Sequence, residues 1–307
     1  TGGQAGPVRI TGSTINTNGG HVWVGGGETA ATTWNGLTVG AGAARTWTAN
    51  EQGVYVSGSS ITTRTGSIRL SGSSHVSGGN LSGTSNMGVW LDTGTTLSTT
   101  SGSLDIEGDI RGTYATGTGL RVGGFATAGD VTLESGAGSI ALTGTLSGTP
   151  ATWGHGLFLD STTVADNRVT VRSGSGAITL SGERSGSGAT DSSGLQFHGG
   201  TSSNLLNVVS GSGNITLRGV HGNPGSAQTA NGIRFTASNV LNSIRIGDDG
   251  SGTYSGNILV EANSLMQRQT HVGAGSISMQ SRGTLTFQPY GTSFTHLRAG
   301  DSGTLTF

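Results

Sequence analysis

The chain has no cysteine and no lysine. Without thiols there is neither a disulfide framework nor a thiolate metal site, and all basic side chains other than histidine are arginine. Proline occupies only 4 of 307 positions, so the 59 glycines do not belong to a collagen-like repeat. Charged residues are 10% of the chain, against the ~25% usual in globular proteins. The formal net charge of −1 leaves no basic field for nucleic acid or for an acidic membrane surface. No apolar run approaches the ~18 residues of a membrane span, and no secretory signal segment is visible. The chain opens at Thr1 rather than Met, and we read it as a mature or excised portion of something longer. Low charge under Ser, Thr, Asn and Gly fits an extracellular fibre better than a cytosolic enzyme, so an extracellular or cell-surface location is expected.

What fills the chain is a repeat. Ser173–Gly182 reads SGSGAITLSG, and variants recur at Thr65–Gly72, Ser101–Gly108, Ala137–Gly144, Ser212–Gly219 and Ser255–Ala262. Each is a small-residue turn followed by an apolar–polar–apolar triplet, the pattern of a short strand with two side chains on one face. One inward column is Ile61, Leu97, Leu133, Val171, Val208 and Ile246, spaced by 36 to 38 residues. A second is Ile68, Leu104, Ile140, Ile178, Ile215 and Ile258, and a third is Leu70, Ile106, Leu142, Leu180, Leu217 and Val260. A further strand opens each unit as GVWL at Gly88–Leu91, GLRV at Gly119–Val122, GLFL at Gly156–Leu159, GLQF at Gly194–Phe197 and GIRF at Gly232–Phe235.

This spacing predicts an all-β chain folded as a right-handed parallel β-helix, with three short strands per coil and about seven or eight coils. Its repeats span residues 1–262, irregular over 1–60 and regular over 61–262, with tighter irregular coils over 263–307. Trp34 and Trp47 lie in an insertion that is expected over one face. Glu261–His271 is the one stretch with helix propensity, expected as a single helical turn.

Candidate chemistry is sparse. Glycoside hydrolysis needs paired carboxylates, and the candidates are Asp105, Glu107 and Asp109, or Asp92 with Asp160 at equivalent positions two coils apart. Ladder neighbours of opposite charge, Arg69 beside Asp105 and Arg172 beside Glu134, favour structural ion pairs instead. Asp248 and Asp249 suggest a weak Ca²⁺ site or a solvated loop. The seven histidines form no HxxH or HExxH pair, so neither a metal nor a cofactor is expected. The outward positions Trp90, Arg121 and Phe158 stack a guanidinium between aromatic rings. Such a strip either binds a surface glycan or packs beneath the turn loops.

The unit GLFLDSTTVADNRVTVRSGSGAITLSG resembles repeats of filamentous-haemagglutinin-like exoproteins and giant bacterial surface adhesins of the two-partner-secretion type. The closing GTLTFQPYGTSFTHLRAGDSGTLTF is similar to stretches recurring in the same proteins. The resemblance covers most of the chain. It implies secretion, a β-helical shaft, and a part in adhesion, biofilm or surface coating. The expected function is therefore a non-catalytic structural segment of a surface filament, assembling with copies of itself or with further repeats. A carbohydrate-binding β-helix, or a polysaccharide lyase or glycosidase, is the alternative. No catalytic residue is carried over.

Overall fold

The computed structural model describes residues 6–48, 51–76, 86–124, 127–147, 149–161, 167–186, 191–200, 205–224, 230–237, 243–248, 252, 254–269 and 277–299. Among the described residues there is no helix, and the chain is a parallel β-solenoid whose strands line up in three sheets. The first sheet holds the GLFL-type strands, from Val8–Thr11 through Gln52–Ser57 and Met87–Leu91 to Ala230–Ala237 and His296–Ala299. The second runs through eight described strands, from Thr14–Asn16 to Ile277–Gln280. The third carries the triplets, from Val22–Val24 on Ile68–Val76 to Leu285–Pro289.

Register follows the apolar columns residue for residue. Ile61 pairs Leu97, Leu97 pairs Leu133, and the series continues through Val171 and Val208 to Ile246. Ile178 lies between Ile140 and Ile215, and Leu180 between Leu142 and Leu217. A one-residue slip would turn each such strand's apolar side chains outward, so burial of one face pins the register. These side chains are solvent-free, each contributing about 1.5–3 kcal/mol by leaving water. Phe197 and Phe235 stack inside with ring centroids 4.9 Å apart.

The corner between the second and third sheets explains the glycine spacing. A Cβ built on Gly176 would lie 1.9 Å from the Gly138 carbonyl oxygen, and one on Gly138 equally close to that of Gly102. Neighbouring coils thus touch backbone to backbone, which only glycine permits. Buried hydroxyls complete the corner. Thr99 donates to the Gly66 carbonyl at 3.0 Å, Ser135 to Gly102 at 3.0 Å, and Ser173 to Gly138 at 3.3 Å. The Ser and Thr of the turns therefore cap the preceding coil rather than simply facing water.

The exit glycine of each triplet is not a corner. Gly182 sits within strand Ile178–Arg184, and a Cβ there would lie 2.1 Å from the Gly194 carbonyl in the first sheet. Gly108 meets Gly119, and Gly144 meets Gly156, in the same way. At this neck the third-sheet strand passes the first-sheet strand of the same excursion. Beyond it the chain forms an arm outside the apolar core.

Two expectations change. Glu261–Gln269 is not helical: Ile258–Ala262 and Ser264–Gln269 are strands, and the latter pairs with Ala230–Ala237. The ladder contacts on offer outweigh a local helix propensity of tenths of a kcal/mol per residue. Residues 270–276 lie outside the described residues, as do Asp249 and the second GTLTF at 303–307. The insertion is a hairpin. Gly26–Trp34 and Leu37–Gly42 pair antiparallel, joined by Asn35 and Gly36 with φ of 46° and 76°. Positive φ at both central residues is the type I′ turn whose twist suits a two-residue hairpin. The strands flanking it, Val22–Val24 and Ala44–Thr46, both lie on Ile68–Val76. The hairpin is thus an excursion from a single rung.

Candidate functional site

The outward column of the first sheet forms as the sequence suggests and extends further. Trp90 is in register with Arg121, and Arg121 with Phe158. The Arg121 guanidinium carbon lies 5.7 Å from the Trp90 ring centroid and 5.3 Å from that of Phe158. Tyr55 precedes Trp90 in the column, its ring edge-on at 5.2 Å, and Arg9 lies over Tyr55 at 5.5 Å. Tyr55 was legible as the outward residue of GVYV, in the same position as Trp90 within GVWL.

Of the two readings of the strip, a glycan-binding surface or packing beneath the loops, the Arg121–Phe158 end takes the second. Arg121 is 1% exposed and Phe158 3%, whereas Trp90 and Tyr55 are half-buried and Arg9 is exposed. Trp153 packs edge-on against Phe158 at 5.5 Å, and His155 and His198 also contact that ring. Trp153 and His155 belong to the arm strand Thr149–Asp160. The arm of Thr149–Asp160 closes over the Phe158 end of the strip, so that ring meets protein.

Asp92 and Asp160 lie in the same layer with partners of their own. Asp92 accepts from the Tyr55 hydroxyl at 2.7 Å and from both the backbone and the hydroxyl of Thr93. Asp160 accepts from the Arg121 guanidinium at 2.6 Å, with His198 Nδ1 3.6 Å away. Burial pushes Arg121 below its ordinary pKa, opposed by the charges of Asp160 and Asp92. Further along, Ser193 donates to Gln196 at 3.2 Å and lies 2.7 Å from His155 Nδ1. With its hydroxyl proton committed to Gln196, Ser193 accepts from a neutral His155 protonated on Nδ1. Arg234 pairs with Asp191. This layer is a buried network of ion pairs and hydrogen bonds between the arms and the sheet, with His155 Nε2 and Thr236 Oγ1 buried in it without a hydrogen-bond partner among the described residues.

The other carboxylates sit outside. Arg69 bridges Asp105 at 3.3 Å and Glu107 at 3.2 Å, both partly exposed. Asp109 receives the Arg111 guanidinium at 2.6 Å. Glu134 and Arg172 are ladder partners. Asp248 accepts from the Gly252 backbone N–H at 2.9 Å.

Two buried histidines give this interior a pH signature. Desolvation, then Arg234, pushes His155 well below its usual range. Desolvation, then the adjacent Arg184, lowers His221 to about 4. Both are neutral when folded, while the unfolded chain binds their protons below about 6.5. Stability is therefore full above pH 6.5 and falls as pH drops toward 4, by up to about 1.4 kcal/mol per pH unit for each group. Urea midpoints between pH 7 and 4.5 are expected to decline steadily, and His221→Gln to decline less. A flat profile over this window contradicts the assignment.

Compared with known protein families, curated proteins and solved structures, the chain matches none.

Proposed function

We propose that this chain is a non-catalytic structural segment of a secreted bacterial surface filament or adhesin, of the filamentous-haemagglutinin-like kind. On this reading the solenoid is right-handed, with three short strands per coil and seven or eight coils, and works as a shaft. The observation that carries the proposal is the unbroken residue-for-residue register of the apolar columns. Such a stack is quasi-one-dimensional, each coil stabilised by its neighbours, and lengthens without changing its cross-section. The carboxylates that would serve hydrolysis instead neutralise arginines, as Asp160 does for Arg121 and Asp105 for Arg69. A skin with few charges suits an exposed fibre, and the cell surface is its proposed location.

The outermost described rungs keep apolar residues only half-buried. They are Val8, Ile10, Ile15 and Val24 on one side, and Ile277, Met279, Leu285 and Phe287 on the other. Edge strands offer backbone groups to another copy, so end-to-end association belongs to the proposal. Sedimentation over a rising concentration series, with electron microscopy of the same samples, is expected to show rods that lengthen with concentration. A chain that stays monomeric at high concentration and shows no rods contradicts self-assembly.

A further inference from the structure

The hairpin insertion does more than decorate the shaft. Outward residues of Ile68–Val76 and of the strand beside it form a polar floor, with Arg69, Ser71, Ser73 and His75 facing Asp105, Glu107, Asp109 and Arg111 in register. The hairpin stands over this floor and leaves a groove of about 430 Å³. That lies within the roughly 300–1,000 Å³ of small-ligand sites. Trp34, Val39 and Gly40 of the hairpin form one wall, and Trp23 lies at the end of the floor. Trp47 is half-exposed beside it, its ring edge-on to His75 at 4.9 Å.

Both groove tryptophans are held in place. Trp34 meets the His21 ring edge-on at 5.5 Å, and His21 Nδ1 accepts the Ser67 backbone N–H at 2.9 Å. That ties the hairpin tip to the solenoid. Trp23 occupies space that exists because residue 25 is glycine: a Cβ there would lie 2.5 Å from the indole. Indole faces fixed before a ligand arrives cost little further ordering on binding.

We propose that this groove binds a short neutral oligosaccharide. A pyranose ring has an apolar C–H face that stacks on an indole, whose face is electron-rich, and a rim of hydroxyls that both donate and accept. The groove offers both halves of that match. Its arginines supply donors and its carboxylates acceptors in fixed orientation, Arg111 with Asp109 at 2.6 Å and Arg69 with Glu107 at 3.2 Å. With Arg45, which also lines the groove, Arg69 and Arg111 balance Asp105, Glu107 and Asp109, so no net field selects a polyanion, and the sugar is neutral. The inference is independent of filament formation, since it rests on the hairpin and one face of the third sheet.

The test is calorimetric titration of the full chain with neutral tetrasaccharides of glucose, mannose, xylose and N-acetylglucosamine, with a heparin tetrasaccharide as the anionic control. At least one neutral sugar is expected to bind saturably. Trp34→Ala is expected to weaken it at least about tenfold, Trp34→Phe to restore most of the loss, and Thr38→Ala, on the hairpin outside the groove, to leave it unchanged. Gly25→Ala, which displaces the Trp23 ring, is expected to weaken it as well. Trp34 lies outside the apolar core, and thermal unfolding of each variant verifies that the solenoid is intact. Silence of every neutral sugar, binding of heparin alone, or wild-type affinity in Trp34→Ala overturns the proposal.

Discussion

Replacing Gly176 by valine is expected to cost at least about 3 kcal/mol and to split unfolding of the solenoid into separable transitions. The first Cβ atom alone would stand 1.9 Å from the Gly138 carbonyl oxygen, and the same close approach recurs one coil on, where a Cβ built on Gly213 would stand 2.0 Å from the Gly176 carbonyl oxygen. Overpacking against side chains typically costs 1–3 kcal/mol because rotamers give way, but here the obstacle is backbone already committed to a ladder. The affected corner lies in mid-stack, so nearest-neighbour coupling is interrupted between two arrays that remain able to fold. Two other glycines set the scale. At Gly6 nothing lies within 4 Å, and alanine is expected to be neutral within about 0.5 kcal/mol. At Gly36 the space is equally open but φ is +76°, so alanine is expected to cost about 1 kcal/mol from backbone strain alone. Urea unfolding of the three variants separates close approach from positive φ. Equal effects at positions 6 and 176 would mean that the coils are not in contact at this corner.

Asp160→Ala is the second large effect, expected at about 3–5 kcal/mol, because it leaves the Arg121 guanidinium buried without its carboxylate. Asp105→Ala removes a partner of comparable charge from Arg69 at a partly exposed site, and is expected to cost no more than about 1 kcal/mol. The contrast decides between two roles for Asp160. A structural anion shows itself in stability and changes no polysaccharide-cleaving activity. A catalytic one would leave the fold intact on substitution and abolish release of reducing ends.

The inward columns were legible because their chemistry is local. A β-branched or leucine triplet with period two, closed by glycine, specifies a short strand whatever surrounds it, and the recurrence of Ile178 and Leu180 at equivalent places specifies the stack. The outward positions were legible only as a list. Trp90, Arg121 and Phe158 were correctly aligned, but whether an outward side chain meets water depends on where other segments fold, and Trp153 comes from an arm whose path no spacing encodes. The glycines misled in a related way. Gly182 looks like a turn residue, yet it lies in a strand, selected by the approach of Gly194 from elsewhere in the coil. The hairpin has a readable signal in the Asn35–Gly36 pair, but it falls outside the 36-to-38-residue period that marks the coils. In Ser264–Gln269 long-range pairing overrode local preference, which a single stretch of sequence does not report.

All of this rests on coils stacked along one axis, strands lying across it. The direct measurement is the layer spacing along the long axis of individual particles in electron cryomicroscopy. A parallel β-solenoid gives an axial repeat of about 4.8 Å, the distance between paired strands. Particles without that axial repeat, or with it running across the long axis, contradict the shaft.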